Sequence, residues 1–217
     1  MGLQPTATSV HPQGRKPVIS REDIIAAALK LLGPNRSIST LSLREIAREA
    51  GIAPNSFYRH FRNRDELAVA LIDLAGESFR QIIGEARQHT TSAQSIVQSC
   101  TDAFMNQLNA DDQLLHIFLR EGTVGSDAFK HAVERQLIFF EDEMQRDLRR
   151  LAKHKKTRLL EPALTAKAIT RLVFAMGANA LDMPKEKRTE LSKQIVLMVR
   201  MILAGTQALA AFKTEDQ

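Results

Sequence analysis

The chain has 217 residues, 44% of them apolar, with ten Phe, one Tyr and no Trp: enough apolar side chain for a packed core, of a composition suited to Leu/Ala/Ile-rich helices. Its net charge of +5 sits in residues 1–65, where ten Lys and Arg meet five acids, while residues 66–217 carry twenty of each sign. A lone Cys100 excludes an intrachain disulfide framework and a cysteine metal cluster. Asn179 and Asp182 interrupt one apolar run and Arg200 another, which argues against a membrane span of about 18 residues. With no apolar signal core at the N-terminus, a cytoplasmic protein is expected.

Residues 1–19 mix Pro, Gly, Thr, Ser and Gln and read as an arm with little to bury. Arg15 and Lys16 at its end suit either a minor groove or plain solvation. A first helix is expected from Ser20, with Asp23 completing its cap and Gly33-Pro34 ending it. Ile24, Ala27, Ala28 and Leu31 form its apolar stripe.

Residues 42–67, SLREIAREAGIAPNSFYRHFRNRDEL, hold the densest signals. Ser42 with Glu45 makes a capping box. Gly51 permits a sharp turn and Pro54 is pre-set for a new helix start. That second helix buries Phe57 and Phe61 and turns Asn55, Ser56, Tyr58 and Arg59 outward. Two short helices joined by a glycine turn, the second with a polar and basic face, read as a helix-turn-helix. An ordinary helical hairpin shares the apolar inside; amide, hydroxyl, phenol and guanidinium together suit base edges and phosphates. Asn55, Ser56 and Arg59 are the base-reading candidates. Ser42, Tyr58, His60 and Arg64 are candidate phosphate anchors.

A long helix follows from about Arg64, DELAVALIDLAGESFRQIIGEARQ, with Gly76 and Gly84 inside it for close packing or bending. Ser95–Leu108 and Gln113–Arg120 are further amphipathic segments, and REGTVGSDAF breaks the helical pattern. Another helix runs from Ser126 or Asp127 to about Ala152, ending in the basic stretch 146–158, which reads as a solvated cluster or a phosphate patch. Two last helices, Pro162–Leu181 and Glu186–Ala211, are apolar over too wide an arc for a monomer's surface, and two-fold pairing would bury both. The expectation is an all-α chain: an arm (1–19), a helix-turn-helix head (20–66) and a ligand-binding and dimerisation domain (67–217). No GxGxxG, P-loop, GxSxG, HExxH or Cys/His metal spacing supports an enzyme, a metal site or a cofactor.

The run GIAPNSFYRHFRNRDEL resembles the recognition-helix signature of the TetR family of bacterial repressors. Resemblance is strong over residues 20–67 and continues as helix count and length beyond. It implies a base-edge or phosphate contact for Arg44 and a contact at Pro54, where the reading helix begins. One departure is Ala53, where many members place a hydroxyl at the helix cap. The segments HIFLREGTVGSDAFKHAVER and FAMGANALD are further similar to TetR-family repressors of fatty-acid desaturation and unsaturated fatty-acid synthesis. That narrower resemblance implies a long-chain acyl-coenzyme A effector. Candidate contacts are Phe104, Leu115, Phe118, Leu119, Phe129, Phe140, Phe174 and Met176 for the chain, and Arg120, Arg149, Arg150 and Lys153 for the carrier phosphates. Another apolar effector, a drug or an aromatic compound, is the alternative. The expected partners are duplex DNA, a lipid effector and a second copy of the chain, with no membrane.

Overall fold

The computed structural model describes residues 19–33, 36–88, 93–110 and 113–215, and among these it is all-helical, without a strand. The arm with Arg15 and Lys16 lies outside the described residues. The first helix, α1 (Arg21–Leu32), is closed at its start by the expected box: the Asp23 amide donates to Ser20 Oγ at 3.1 Å and the Ser20 amide to Asp23 Oδ2 at 2.8 Å. A short 3-10 turn (Ile38–Thr40) then leads into α2 (Leu43–Glu49) and α3 (Pro54–Phe57).

The rod of the molecule is α4 (Arg64–Gln88). At 1.5 Å per residue it is about 37 Å long. Asn63 and Glu66 close its start: the Glu66 amide donates to Asn63 Oδ1 at 2.8 Å, and the Glu66 carboxylate accepts from the Arg62 amide at 2.7 Å. The remaining elements are α5 (Ala93–Asn109), α6 (Gln113–Val124), α7 (Asp127–Lys155), α8 (Pro162–Ala180) and α9 (Lys185–Glu215). Buried side chains from Ile24 in α1 to Val199 in α9 form one contiguous core.

Three expectations need correcting. The second motif helix ends at Phe57, and the chain reaches Phe61 through tight turns, Arg59 N–H to Ser56 O and His60 N–H to Phe57 O. In REGTVGSDAF the helix persists through Gly122 to Val124, and the break falls at Gly125. There the backbone passes so close to α7 that a Cβ would lie 2.5 Å from the Glu121 carbonyl and 2.8 Å from Phe129 Cβ. Within Lys185–Phe212 an 18-residue stretch has a mean hydropathy of 1.9 despite Arg200, so by length and composition alone this helix is apolar enough to cross a membrane. Its two faces explain that composition. Leu191, Ile195, Val196 and Val199 are buried against the protein, while Leu197, Met201, Leu209 and Phe212 are exposed.

The two glycines inside α4 have different surroundings. A Cβ at Gly76 would come within 2.6 Å of Gln136 Cδ. That side chain cannot swing away: it is buried, donates to Asp73 Oδ1 at 2.7 Å and accepts from Arg80. A Cβ at Gly84 meets nothing within 4 Å. Gly76→Ala should therefore destabilise by about 1–3 kcal/mol through overpacking. Gly84→Ala should stabilise by about 0.4–1 kcal/mol by restricting the unfolded chain. Urea denaturation of the two variants should shift the midpoint in opposite directions.

Candidate nucleic-acid interface and effector cavity

The head is assembled from caps and a turn. Ser42 Oγ accepts the Glu45 amide at 3.2 Å, and Glu45 Oε2 accepts the Ser42 amide at 2.9 Å, satisfying two donors that α2 leaves open. The Ser42 backbone bond chiefly holds the Glu45 carboxyl below its usual range. Gly51 takes the left-handed conformation (φ 68°), and the Ile52 amide closes back on Ala47 O at 2.9 Å. At the start of α3, Pro54 occupies the first turn and Ala53 makes no side-chain cap, so the departure from the family pattern is real in the structure.

Phe57 and Phe61 are buried with ring centroids 5.6 Å apart, and the Arg21 guanidinium lies 4.5 Å above the Phe61 ring. This packing leaves Arg44, Pro54, Asn55, Tyr58 and Arg59 exposed, with Ser56 and His60 half-buried. Tyr58 is 57% exposed although its ring edge meets Phe57, so its phenol is presented rather than packed. Arg64 has a structural task that sequence spacing did not reveal. Its Nη1 donates to Ser39 O and Leu41 O, both at 3.0 Å, pinning the 3-10 turn to the start of α4.

Behind the head, α4, α5, α7, α8 and α9 line a partly open apolar cavity of about 90 Å³. Phe79, Ile83, Phe104, Phe140, Met144, Val173, Phe174 and Val199 are among its walls. Four wall rings interlock, Phe79 standing 5.6 Å from Phe104, 5.5 Å from Phe140 and 5.7 Å from Phe174. Such edge and tilted contacts are the arrangement aromatic quadrupoles favour. At the polar end Arg87 donates to Asp147 Oδ2 and Glu143 Oε2, each at 2.6 Å. Cys100 lines the same cavity, and burial pushes its thiol up to about 11, so it stays protonated near neutral pH.

Of the sequence-derived ligand candidates, Phe104, Phe140 and Phe174 are in the wall. Phe118 stands one layer behind, 5.3 Å from the Phe174 ring. Leu115 and Leu119 are buried elsewhere on α6, Phe129 packs at the Gly125 corner, and Met176 is half-buried against the core. Arg120 is half-buried and Arg149 exposed; neither lines the cavity, and the same holds for Arg150 and Lys153. Periodicity marks a residue as apolar without saying whether it faces a void or a neighbour. Phe79 and Arg87, which line the cavity from α4, are not among those candidates, since nothing in the local spacing of α4 tells which of its turns faces a void. Among the described residues, no group of three or more His, Cys, Asp or Glu is placed to hold a metal.

Residues 24–71 match the family model described as bacterial regulatory proteins, tetR family. An uncharacterized HTH-type transcriptional regulator of Haemophilus influenzae is 37% identical over 191 residues, covering 88% of this chain and 92% of that protein. Three solved structures share the fold. A tetR-family transcriptional regulator of Streptomyces coelicolor has a TM-score of 0.65 at 20% identity, over 87% of this chain and 82% of its own. The fatty acid degradation regulator FadR of Bacillus halodurans has 0.67 at 18%, over 88% and 98%. Reduced NemR of E. coli has 0.63 at 18%, over 87% and 98%. With its motif geometry, the matched N-terminal segment and a relative aligned along nearly its whole length, the chain belongs to the tetR family of bacterial regulatory proteins, DNA-binding regulators of transcription.

Proposed function

We propose that the chain is one protomer of a homodimeric repressor that binds a palindromic operator, and that a long-chain acyl-coenzyme A sets its hold on DNA at genes of fatty-acid desaturation or unsaturated fatty-acid synthesis. The observation that carries this reading is the double duty of α4. It starts at Arg64 beside the reading helix and supplies Phe79, Ile83 and Arg87 to the cavity. A dry hydrocarbon pocket stabilises a guest by about 0.8 kcal/mol per buried methylene. That FadR, a neighbour in fold, is a fatty acid degradation regulator keeps a lipid effector in view. On this reading Arg87, which lines the cavity and is held by Glu143 and Asp147, takes the carrier-facing role in place of Arg120 and Arg149. The protein then acts in the cytoplasm beside its DNA, with no catalytic group or metal called on.

One observation favours a second reading, an apolar drug-like or aromatic effector with a positive charge. Asp147 is a carboxylate in the wall beside the rings of Phe79, Phe104, Phe140 and Phe174, held by Arg87 and Arg150, and aromatic faces attract cations. Operator anisotropy with saturated acyl-CoA, unsaturated acyl-CoA, free coenzyme A and tetraphenylphosphonium separates the two. An acyl-CoA effect absent with free coenzyme A supports the lipid reading, at an expected coupling of about 1–3 kcal/mol. A response to the phosphonium alone moves the assignment to the second reading.

Two further outcomes are expected. Arg59→Ala should cost about 1–3 kcal/mol of operator affinity and relax base preference, whereas Arg64→Ala should weaken all sequences alike and also lower the melting temperature, because it releases Ser39 and Leu41. Unchanged operator affinity in Arg59→Ala would place the reading face elsewhere. The exposed Leu197 and Met201 on α9, with Leu164 on α8, should pair across a two-fold axis. Sedimentation should give a dimer at micromolar concentration, and Leu197→Glu with Met201→Glu should give a folded monomer that loses tight operator binding.

A further inference from the structure

In the segment HIFLREGTVGSDAF, Glu121 is fully buried, an unusual position for a carboxylate. Its Oε1 accepts the amide of Ile38 at 2.9 Å, a contact that joins residues 83 apart in sequence. Its Oε2 is buried with no hydrogen-bond partner. Keeping a half-satisfied carboxylate in a core works against stability, and an apolar side chain of similar size would pack there at lower cost. The Ile38 amide explains why an acceptor stands there. Ile38 opens the 3-10 turn, where an amide has no partner within its own helix, and the Ile38 side chain is itself fully buried. The same turn is held from the other side by Arg64, and it runs directly into the Ser42 cap of α2. At the opposite end of α6, Gln113 Nε2 donates to Leu29 O of α1 at 3.0 Å. One helix of the regulatory domain thus holds backbone atoms of the head at two places.

We propose that Glu121 is a positioning residue for DNA binding: its carboxylate docks the 3-10 turn onto α6 and fixes the direction in which α2 and α3 face the operator. The role needs an acceptor at the carboxylate position, not a charge. Phe118, three residues earlier on α6, meets Phe140 edge-on and Phe174 at a tilt, both in the cavity wall, so the peg stands on a helix in contact with that wall. This inference rests on DNA binding alone and is independent of the effector's identity.

The test uses full-length protein and a palindromic duplex selected by the wild type from a random library, with spacer variants one base pair longer and shorter. Glu121→Gln keeps an acceptor toward Ile38, and Glu121→Leu removes it. Wild type and Glu121→Gln should prefer the selected spacing tenfold or more over either spacer variant. Glu121→Leu should lose most of that preference while binding the selected duplex no more than tenfold more weakly, since heads freed to reorient fit several spacings. A residue that merely stabilises the fold would lower the melting temperature and leave spacing preference intact; that result in Glu121→Leu overturns the proposal. Amide exchange of the wild type gives a reading that needs neither a variant nor DNA. The Ile38 amide should exchange at least a hundredfold more slowly than its exposed neighbour Ser39. Comparable rates for the two amides would also overturn it, whether or not Glu121→Leu folds.

Discussion

One rigid helix has to serve two masters of different chemistry, and the rest of the structure follows from that constraint. The first turns of α4 bury Leu67, Leu71 and Ile72, and its later turns bury Ala75 and Phe79. Phe79 is the pivot, meeting rings from α5, α7 and α8 at 5.5–5.7 Å. Because interiors are packed to crystal-like density, a helix so anchored cannot shift at one end alone. The Asp73–Gln136–Arg80 contacts and the Arg87 fork tie the same helix to α7 at further levels, at 2.7 Å and 2.6 Å where Asp73 and the carboxylates accept. Register between the cavity and the head is therefore held by packing along the whole rod.

Charge is divided along the same line. The excess of basic residues lies in the arm and head together, residues 1–65, and part of it is internally balanced: Lys30 meets Glu49 at 2.5 Å and Arg36 meets Glu45 at 3.7 Å. These exposed pairs contribute little stability, but they withdraw cations from α1 and the 3-10 turn. Arg44, Arg48, Arg59 and Arg62 remain exposed around α2 and the turn after α3. Beyond the head, ion pairs between helices include those of Arg171, which meets Glu134 and Glu141 at 2.5 Å and 2.6 Å and has its guanidinium pKa raised chiefly by the Glu134 bond. Attraction of a polyanion is left to the head.

Local chemistry made the head legible before any coordinates. Ser20–Asp23 and Ser42–Glu45 are capping boxes whose partners lie three residues apart, and Gly51 and Pro54 act on their own backbone. All four do in the structure what their spacing implies. Asn63–Glu66 carries a related signal and was overlooked beside the stronger motif. Long-range facts were not legible. Nothing in the spacing of LREG tells that Glu121 reaches Ile38, or that Arg87 rather than Arg149 closes the cavity, because both depend on how helices far apart in sequence come to lie together. Stripe reading named Phe104, Phe140 and Phe174, which line the cavity, but could not separate them from Leu115 or Phe129, which are as apolar and buried and do not line it. The broad apolar arc of α9 was read as one property and proved to be two faces, one packed inward and one exposed.

The size of the cavity constrains how any effector works. About 90 Å³ is smaller than the roughly 150 Å³ void that accepts a single benzene ring. A small guest that fits among Phe104, Phe140 and Phe174 without moving them binds the two states of the protein alike and shifts nothing, however tightly it is held. The long acyl chain proposed above would be different, since it would enter only as those rings and the adaptable Met144 gave way. Phe140 and Phe174 both rest on Phe118 of α6, and Phe104 and Phe174 both rest on Phe79 of α4. On the proposed reading, displacing the wall would load α4 and α6, whose Arg64 and Glu121 both bond to the 3-10 turn and its end. Under the acyl-coenzyme A reading proposed above, the guest is recognised by the volume it forces open before it is recognised by its polar end.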